Sequence, residues 1–155
     1  MQLLSVKPFR ETPGYCGPAS LKMVLEYFGI HISEKKLARL TGATRVKGVE
    51  ALGLARAARM LGCKAHIKDS ATFADIHAYL KRKVPVIVDW FSMDDGHYSV
   101  VVGMDRRKIY LQDPEVAQVR AMDLQTFKRV WFDFPHDYLR SKNDLLIRRL
   151  IAIYR

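Results

Sequence analysis

Between residues 16 and 62 apolar side chains return at helical intervals, and from residue 63 the interval shortens towards two. In "CGPASLKMVLEYFG", Ala19, Met23 and Tyr27 share a face with Val24 and Phe28. That predicts a helix with Pro18 in its first turn and Gly29 as its stop. "SEKKLARLTG" predicts a second, with Ser33 as cap, Glu34 in the first turn and Gly42 past the end. "GVEALGLARAARMLG" predicts a third, ending at Gly62, and "CKAHIK" alternates as a strand does. "TFADIHAYLKRK" opens with Thr72 and Asp75, a capping box with the shorter acid, and predicts a helix. From Val84 the chain is mostly strand: "VPVIVDWF", then "HYSVVVGMD" and "KIYLQDP" joined by a turn near Asp105–Arg107, then "AQVRAM". "DLQTFKRVWFDF" predicts a helix ending near Phe132, and "LLIRRLIAIYR" predicts a closing strand rather than a helix.

Helices come first and strands later. This segregation predicts an α+β fold, with the helices packed on one side of a mainly antiparallel sheet. With no repeat, low-complexity tract or flexible linker, residues 1–155 read as a single domain.

Composition narrows the function classes. The 155 residues are 49% hydrophobic and 27% charged, the profile of a soluble globular chain. No apolar run reaches the ~20 residues of a membrane span, and the longest, "VPVIVDWF", is broken by Asp89. "MQLLSVKPFR" lacks the organisation of a signal peptide, so a cytoplasmic location is expected. Two cysteines, with no CxxC and no Cys/His cluster at ligand spacing, give no reason to expect a metal or another cofactor. The net charge of +10 suits nucleic acid, an acidic membrane surface or an acidic peptide. The basic residues are scattered, however, without interleaved aromatics, so a solvated basic surface and no nucleic-acid partner are expected.

Candidate chemistry starts at "ETPGYCGPAS". A lone cysteine is most often a small buried hydrophobe, and Cys63, between Gly62 and a strand, fits that description. Cys16 stands instead at a helix start, where unpaired amides and the helix dipole favour thiolate over thiol. The same amides can donate to an oxyanion. Gly17 allows a substrate backbone to come close, and Pro18 needs no hydrogen-bond partner. A nucleophile elbow is excluded, because Pro18 occupies its second glycine position.

Of five histidines, His31, His66, His77 and His136 read as structural or exposed. His97 differs: a loop ends at Gly96 and "SVVVG" anchors the strand that His97 begins. Asp113 closes the next strand, sixteen residues on, so a hairpin turning near Arg106 returns it to the same end. There its carboxylate can accept the Nδ1 proton and fix the imidazole, although Asp113-Pro114 also reads as a turn starter.

"CGPASLKMVLEYFG", "GHYSVVVG" and "LQDPE" together resemble the C39 family of papain-like cysteine peptidases. The resemblance runs from the opening loop through Asp113 and extends to "WFDF". It implies a papain-like fold with Cys16 as nucleophile, His97 as base and Asp113 as its orienting group. It further implies a substrate of leader-peptide type cut after small residues such as Gly-Gly, classically by a domain attached to an ABC transporter. No transporter segment is present in the sequence, so a stand-alone domain or an excerpt is expected, and the basic charge would suit an acidic leader. Family members usually carry glutamine six residues before the cysteine as an oxyanion donor. Arg10 stands there, so Arg10, with Gly17 and Gly96, completes the expected oxyanion and substrate site. Two competing readings keep the same groove: a peptide-binding module disabled by Arg10, and an acyltransferase that intercepts the thioester with an amine or thiol.

Overall fold

The computed structural model describes residues 1–93 and 95–155. Helices α1 (Cys16–Tyr27), α2 (Glu34–Thr41) and α3 (Ala51–Met60) come first. Strand β1 (Lys64–Lys68) and helix α4 (Phe73–Lys81) follow, then β2 (Val86–Ser92), β3 (Asp95–Met104), β4 (Lys108–Asp113) and β5 (Gln118–Asp123). Helix α5 (Leu124–Val130), β6 (Phe132–Asp133), β7 (Leu146–Ile147) and β8 (Arg149–Tyr154) complete the chain.

Local signals explain the helix ends. Ser33 Oγ accepts from the Lys36 amide, and Gly42 ends α2 in the left-handed conformation at φ 77°. Thr72 and Asp75 form the expected capping box at α4. In α1, by contrast, no side chain caps the first turn, so its leading amides have no partner of that kind.

Six strands form one antiparallel sheet in the order β1-β8-β2-β3-β4-β5. Its first face receives α1 and α3, through Leu21, Leu25 and Leu54 packed with Ile87, Val100 and Ile151, and α2 packs on those two helices. The second face is covered too, by Ile76 of α4 and Phe127 of α5 against Val86, Val101 and Leu111. The expected one-sided packing is therefore incomplete. Successive residues Val86, Ile87 and Val88 are all fully buried, as in a strand covered on both faces.

Two boundaries differ from the periodicity. Helix α5 stops at Val130 rather than near Phe132, because Phe132 and Asp133 leave it to pair with Ile147 and Leu146. The buried Trp131 makes the corner, its indole donating to the Arg149 carbonyl at 2.9 Å. The closing strand is broken at Arg148, at φ 47°, whose amide donates to the Trp131 carbonyl at 3.0 Å.

The opening stretch runs against the strands that bear the candidate residues. Leu4 N donates to Val102 O at 2.8 Å, Gln112 Nε2 to Val6 O at 3.1 Å, and Glu11 N to Pro114 O at 2.9 Å. Thr12 then binds Glu34 through both its amide and hydroxyl, at 2.9 and 2.7 Å. Gly14, at φ 90°, lies so close to the Arg45 backbone that a side chain would collide with it. The loop thus delivers Cys16 to the start of α1 from a fixed direction.

Phe127 is fully buried and meets Phe73, Trp90 and Trp131, its neighbours in the second core. Phe127→Ala is expected to lower stability by about 3–5 kcal/mol in urea unfolding.

Candidate active site

His97 and Asp113 enter the site from the adjacent strands β3 and β4. A register shift between Val101 and Gly103 sets Val100 opposite Gln112, so His97 and Asp113 lie diagonally rather than as direct cross-strand partners. Their side chains still meet, with His97 Nε2 2.6 Å from Asp113 Oδ1. The nitrogen facing the carboxylate is therefore Nε2, not the Nδ1 expected from the sequence. Nδ1 is left on the side away from Asp113, and Cys16 is near enough to contribute to the raised pKa of the ring.

Asp113 is wholly buried and has several donors. It also accepts from the Glu115 amide at 3.0 Å and from Arg120 Nη1 at 2.7 Å. Burial pushes its pKa up, but the bonds from His97, Glu115 and Arg120 outweigh this and hold it below the ordinary value. The Ala117 amide donates to the Asp113 carbonyl at 2.8 Å, so the residue starts a turn and holds the ring at once. For His97, burial would lower the pKa. The bond to Asp113, with the bond and charge of Cys16, raises it instead to about 10. The resting ring is an imidazolium held against the Asp113 carboxylate. Trp90 packs edge-on to it at 5.7 Å between centroids, and Arg120 lies over the Trp90 ring.

These groups border an open cleft of about 1740 Å³, lined among others by Glu11, Cys16, Val49, Asp89, His97 and Asp133. Small-molecule pockets run to roughly 300–1,000 Å³, so this volume suits a segment of polymer.

The other expected site residues sit differently. Arg10 directs its guanidinium to the carbonyls of Glu115 and Val116, at 3.3 and 3.4 Å. It is thus engaged by the turn after Asp113. The room above Gly17 is filled by Val49 and Tyr98, so the close approach it permits is that of the protein's own loop. Tyr98 seals that contact by donating to the Val49 carbonyl at 3.0 Å. The room above Gly96 is filled by the Asp133 carboxyl. His31, His66, His77 and His136 are exposed, and Cys63 is buried.

Three acids went unnoticed as site residues. Glu11 lines the cleft with a buried Oε1 that has no hydrogen-bond partner. Burial pushes it up to about 7; the His97 charge opposes the rise, while Glu115, Asp113 and Glu34 add to it. Asp89 is 3% exposed, with an unpartnered Oδ1. Burial, then the hydrogen bond and charge of Asp133, drive it well above the ordinary carboxyl range. Its interruption of the apolar run "VPVIVDWF" was the sequence signal. Asp133 accepts from the Phe134 amide at 2.7 Å.

Among the described residues, one group could offer ligands to a metal: His97, Asp113 and Glu115, with ligand atoms within 4.8 Å of one another. Its chemistry is that of an ion pair, since a cation there would compete with the imidazolium and with Arg120 for the same carboxylate.

Residues 11–134 match the sequence model of the peptidase C39 family. An uncharacterized protein of Methanothermobacter marburgensis is 35% identical over 133 residues, covering 77% of this chain and 84% of that protein. The Lactococcin-A transport/processing ATP-binding protein of Lactococcus lactis subsp. lactis is 30% identical over 121 residues; the match takes in 75% of this chain and 16% of that much longer protein. The crystal structure of the peptidase domain of Streptococcus ComA, a bi-functional ABC transporter involved in a quorum sensing pathway, shares the fold. It has a TM-score of 0.76 at 23% identity, over 96% of this chain and 98% of that one.

Replacing Asp113 by Asn removes the anion that raises His97 above its ordinary value. Ring titration by NMR is expected to show the His97 pKa of Asp113→Asn well below about 10, the native value.

Proposed function

This chain belongs to the peptidase C39 family, and from that premise we propose that it hydrolyses peptide bonds through Cys16, His97 and Asp113. The observation that carries the reading is an imidazolium held by a buried carboxylate beside a cysteine at an uncapped helix start. The Cys16 thiolate attacks the scissile carbonyl carbon, and the carbonyl electron pair moves onto oxygen. The unpartnered leading amide of α1 donates to that oxyanion. The His97 ring gives its proton to the departing amine as the C–N bond breaks, leaving a thioester on Cys16. The neutral ring then takes a proton from water, whose oxygen attacks the thioester, and the carboxylic acid departs as the thiolate re-forms. Asp113 keeps Nε2 occupied throughout, so that Nδ1 is the nitrogen that exchanges protons with substrate and water.

Arg10 is bound to the turn carbonyls and is not the second oxyanion donor in this reading. Glu11 takes that role in its protonated form, which offers an O–H from a partly buried carboxyl in the same cleft. The substrate is a peptide of leader type, cut after small residues, consistent with the processing named for the Lactococcus relative. An ABC transporter is the corresponding partner. Among the described residues no helix is long and apolar enough to cross a membrane.

Two measurements test this. Iodoacetamide is expected to modify Cys16 well before Cys63, whose thiol is buried and pushed up by that burial. Cys16→Ala is expected to abolish cleavage of a peptide containing Gly-Gly. Equal labelling of the two cysteines, or full activity in Cys16→Ala, overturns the assignment.

The pH profile tests Glu11 separately. Its pKa is raised, so the donating form prevails at low pH and is lost as pH rises through about 7. Native kcat/KM is expected to fall across that value. Glu11→Gln, an amide donor at every pH, is expected to retain its rate above it. Glu11→Ala is expected to lose roughly 10²-fold at pH 6.

A further inference from the structure

The chain as a whole is strongly basic, yet its cleft is acidic. Among the described residues, eight acidic side chains line the cleft, out of 16 in the whole chain, against four of the 26 basic ones. Those four are Arg10, Arg45, Lys47 and Arg149. Three of them are tied to the protein itself. Arg10 bonds to the carbonyls of Glu115 and Val116, Arg45 Nε to Pro13 O at 3.2 Å, and Arg149 to both oxygens of Asp69 at 2.6 and 2.9 Å.

Two of the acids are placed against the reacting groups. Asp133 lies in the space that a side chain at Gly96 would take, one residue before His97. Asp89, opposite Tyr98 in the β2–β3 ladder, interacts with both Asp133 and Cys16. Its Oδ1 is buried without a hydrogen-bond partner. An unsatisfied buried carboxyl costs free energy until a donor reaches it. A carboxyl pair at the wall of a cleft offers the acceptor oxygens that an ammonium or guanidinium group completes. Phe134, stacked on Phe91 at 5.3 Å, lines the same wall and offers an aromatic face to such a cation.

We propose that the cleft selects peptides carrying a lysine or arginine beside the scissile bond, with Asp89 and Asp133 as its seat and Asp95 at its rim. This specificity rests on the peptidase reading and names the substrate class for it. It reverses the acidic partner that the net charge alone suggests. Screening decides between the two: at physiological salt the distant basic surface is damped beyond about 8 Å, whereas the cleft acids act at contact.

The test uses Cys16→Ala, so that binding is read without cleavage. Three fluorescein-labelled short peptides share a central Gly-Gly and differ only in having Lys, Ala or Glu at the flanking positions. Fluorescence anisotropy is expected to rank them Lys, Ala, Glu, with about a tenfold gap in Kd between the extremes at low salt. The gap should narrow in 0.5 M NaCl and in a Cys16→Ala chain that also carries Asp133→Asn and Asp95→Asn. Equal affinities, the reverse order, no binding by any of the three, or a gap that survives both Asn replacements overturns the proposal. Native chain tested on the same peptides separates the two readings. If the Lys peptide binds best and none is cut, the hydrolytic reading fails while the selectivity stands.

Discussion

A carboxylate shut away from water stays ionised only when donors replace the water it has lost. Asp113 is in that position: no part of it is exposed, and an imidazole, a backbone amide and a guanidinium surround it. Most of the site's organisation follows. The buried anion orients His97 through Nε2 and keeps the ring charged on the wall of the cleft that Cys16 also lines. Arg120 reaches Asp113 from β5, so the outermost strand of the sheet contributes to the charge balance of a ring two strands away.

The fold was legible in the sequence wherever one physical signal dominated. Caps at Ser33 and Thr72, the stop at Gly42 and the alternation in "CKAHIK" each act within a few residues, and each is realised. Tertiary pairing decided the rest. Phe132 and Asp133 continue a helical pattern but are taken by a partner strand, and Arg148 interrupts an apolar run because its amide is needed at Trp131. The double coverage of the sheet was implicit in the unbroken apolar strands, although the order of elements suggested one covered face.

The candidate site was legible in part for the same reason. Cys16, His97 and Asp113 stood out because helix starts, strand starts and Asp-Pro turns have local signatures. The diagonal register of His97 and Asp113 follows a bulge at Val101–Gly103, which no spacing argument contains. The direction of Arg10 and the burial of Glu11 depend on a peptide group bonded to Pro114, a hundred residues away in sequence. The charge of the cleft is likewise a property of assembly: the acidic and basic residues look scattered along the chain and are sorted only by folding.

The opening stretch links these observations. Leu4, Val6 and Glu11 are stitched to β3, β4 and the turn that follows, the same elements that carry the imidazole and its carboxylate. Cys16 and His97 therefore share a frame, although one begins a helix and the other lies near the start of a strand. Fraying of the first eleven residues would leave each functional group intact and still misalign them. The alignment of the candidate site is thereby entrusted to a ribbon of backbone that contains none of its three side chains.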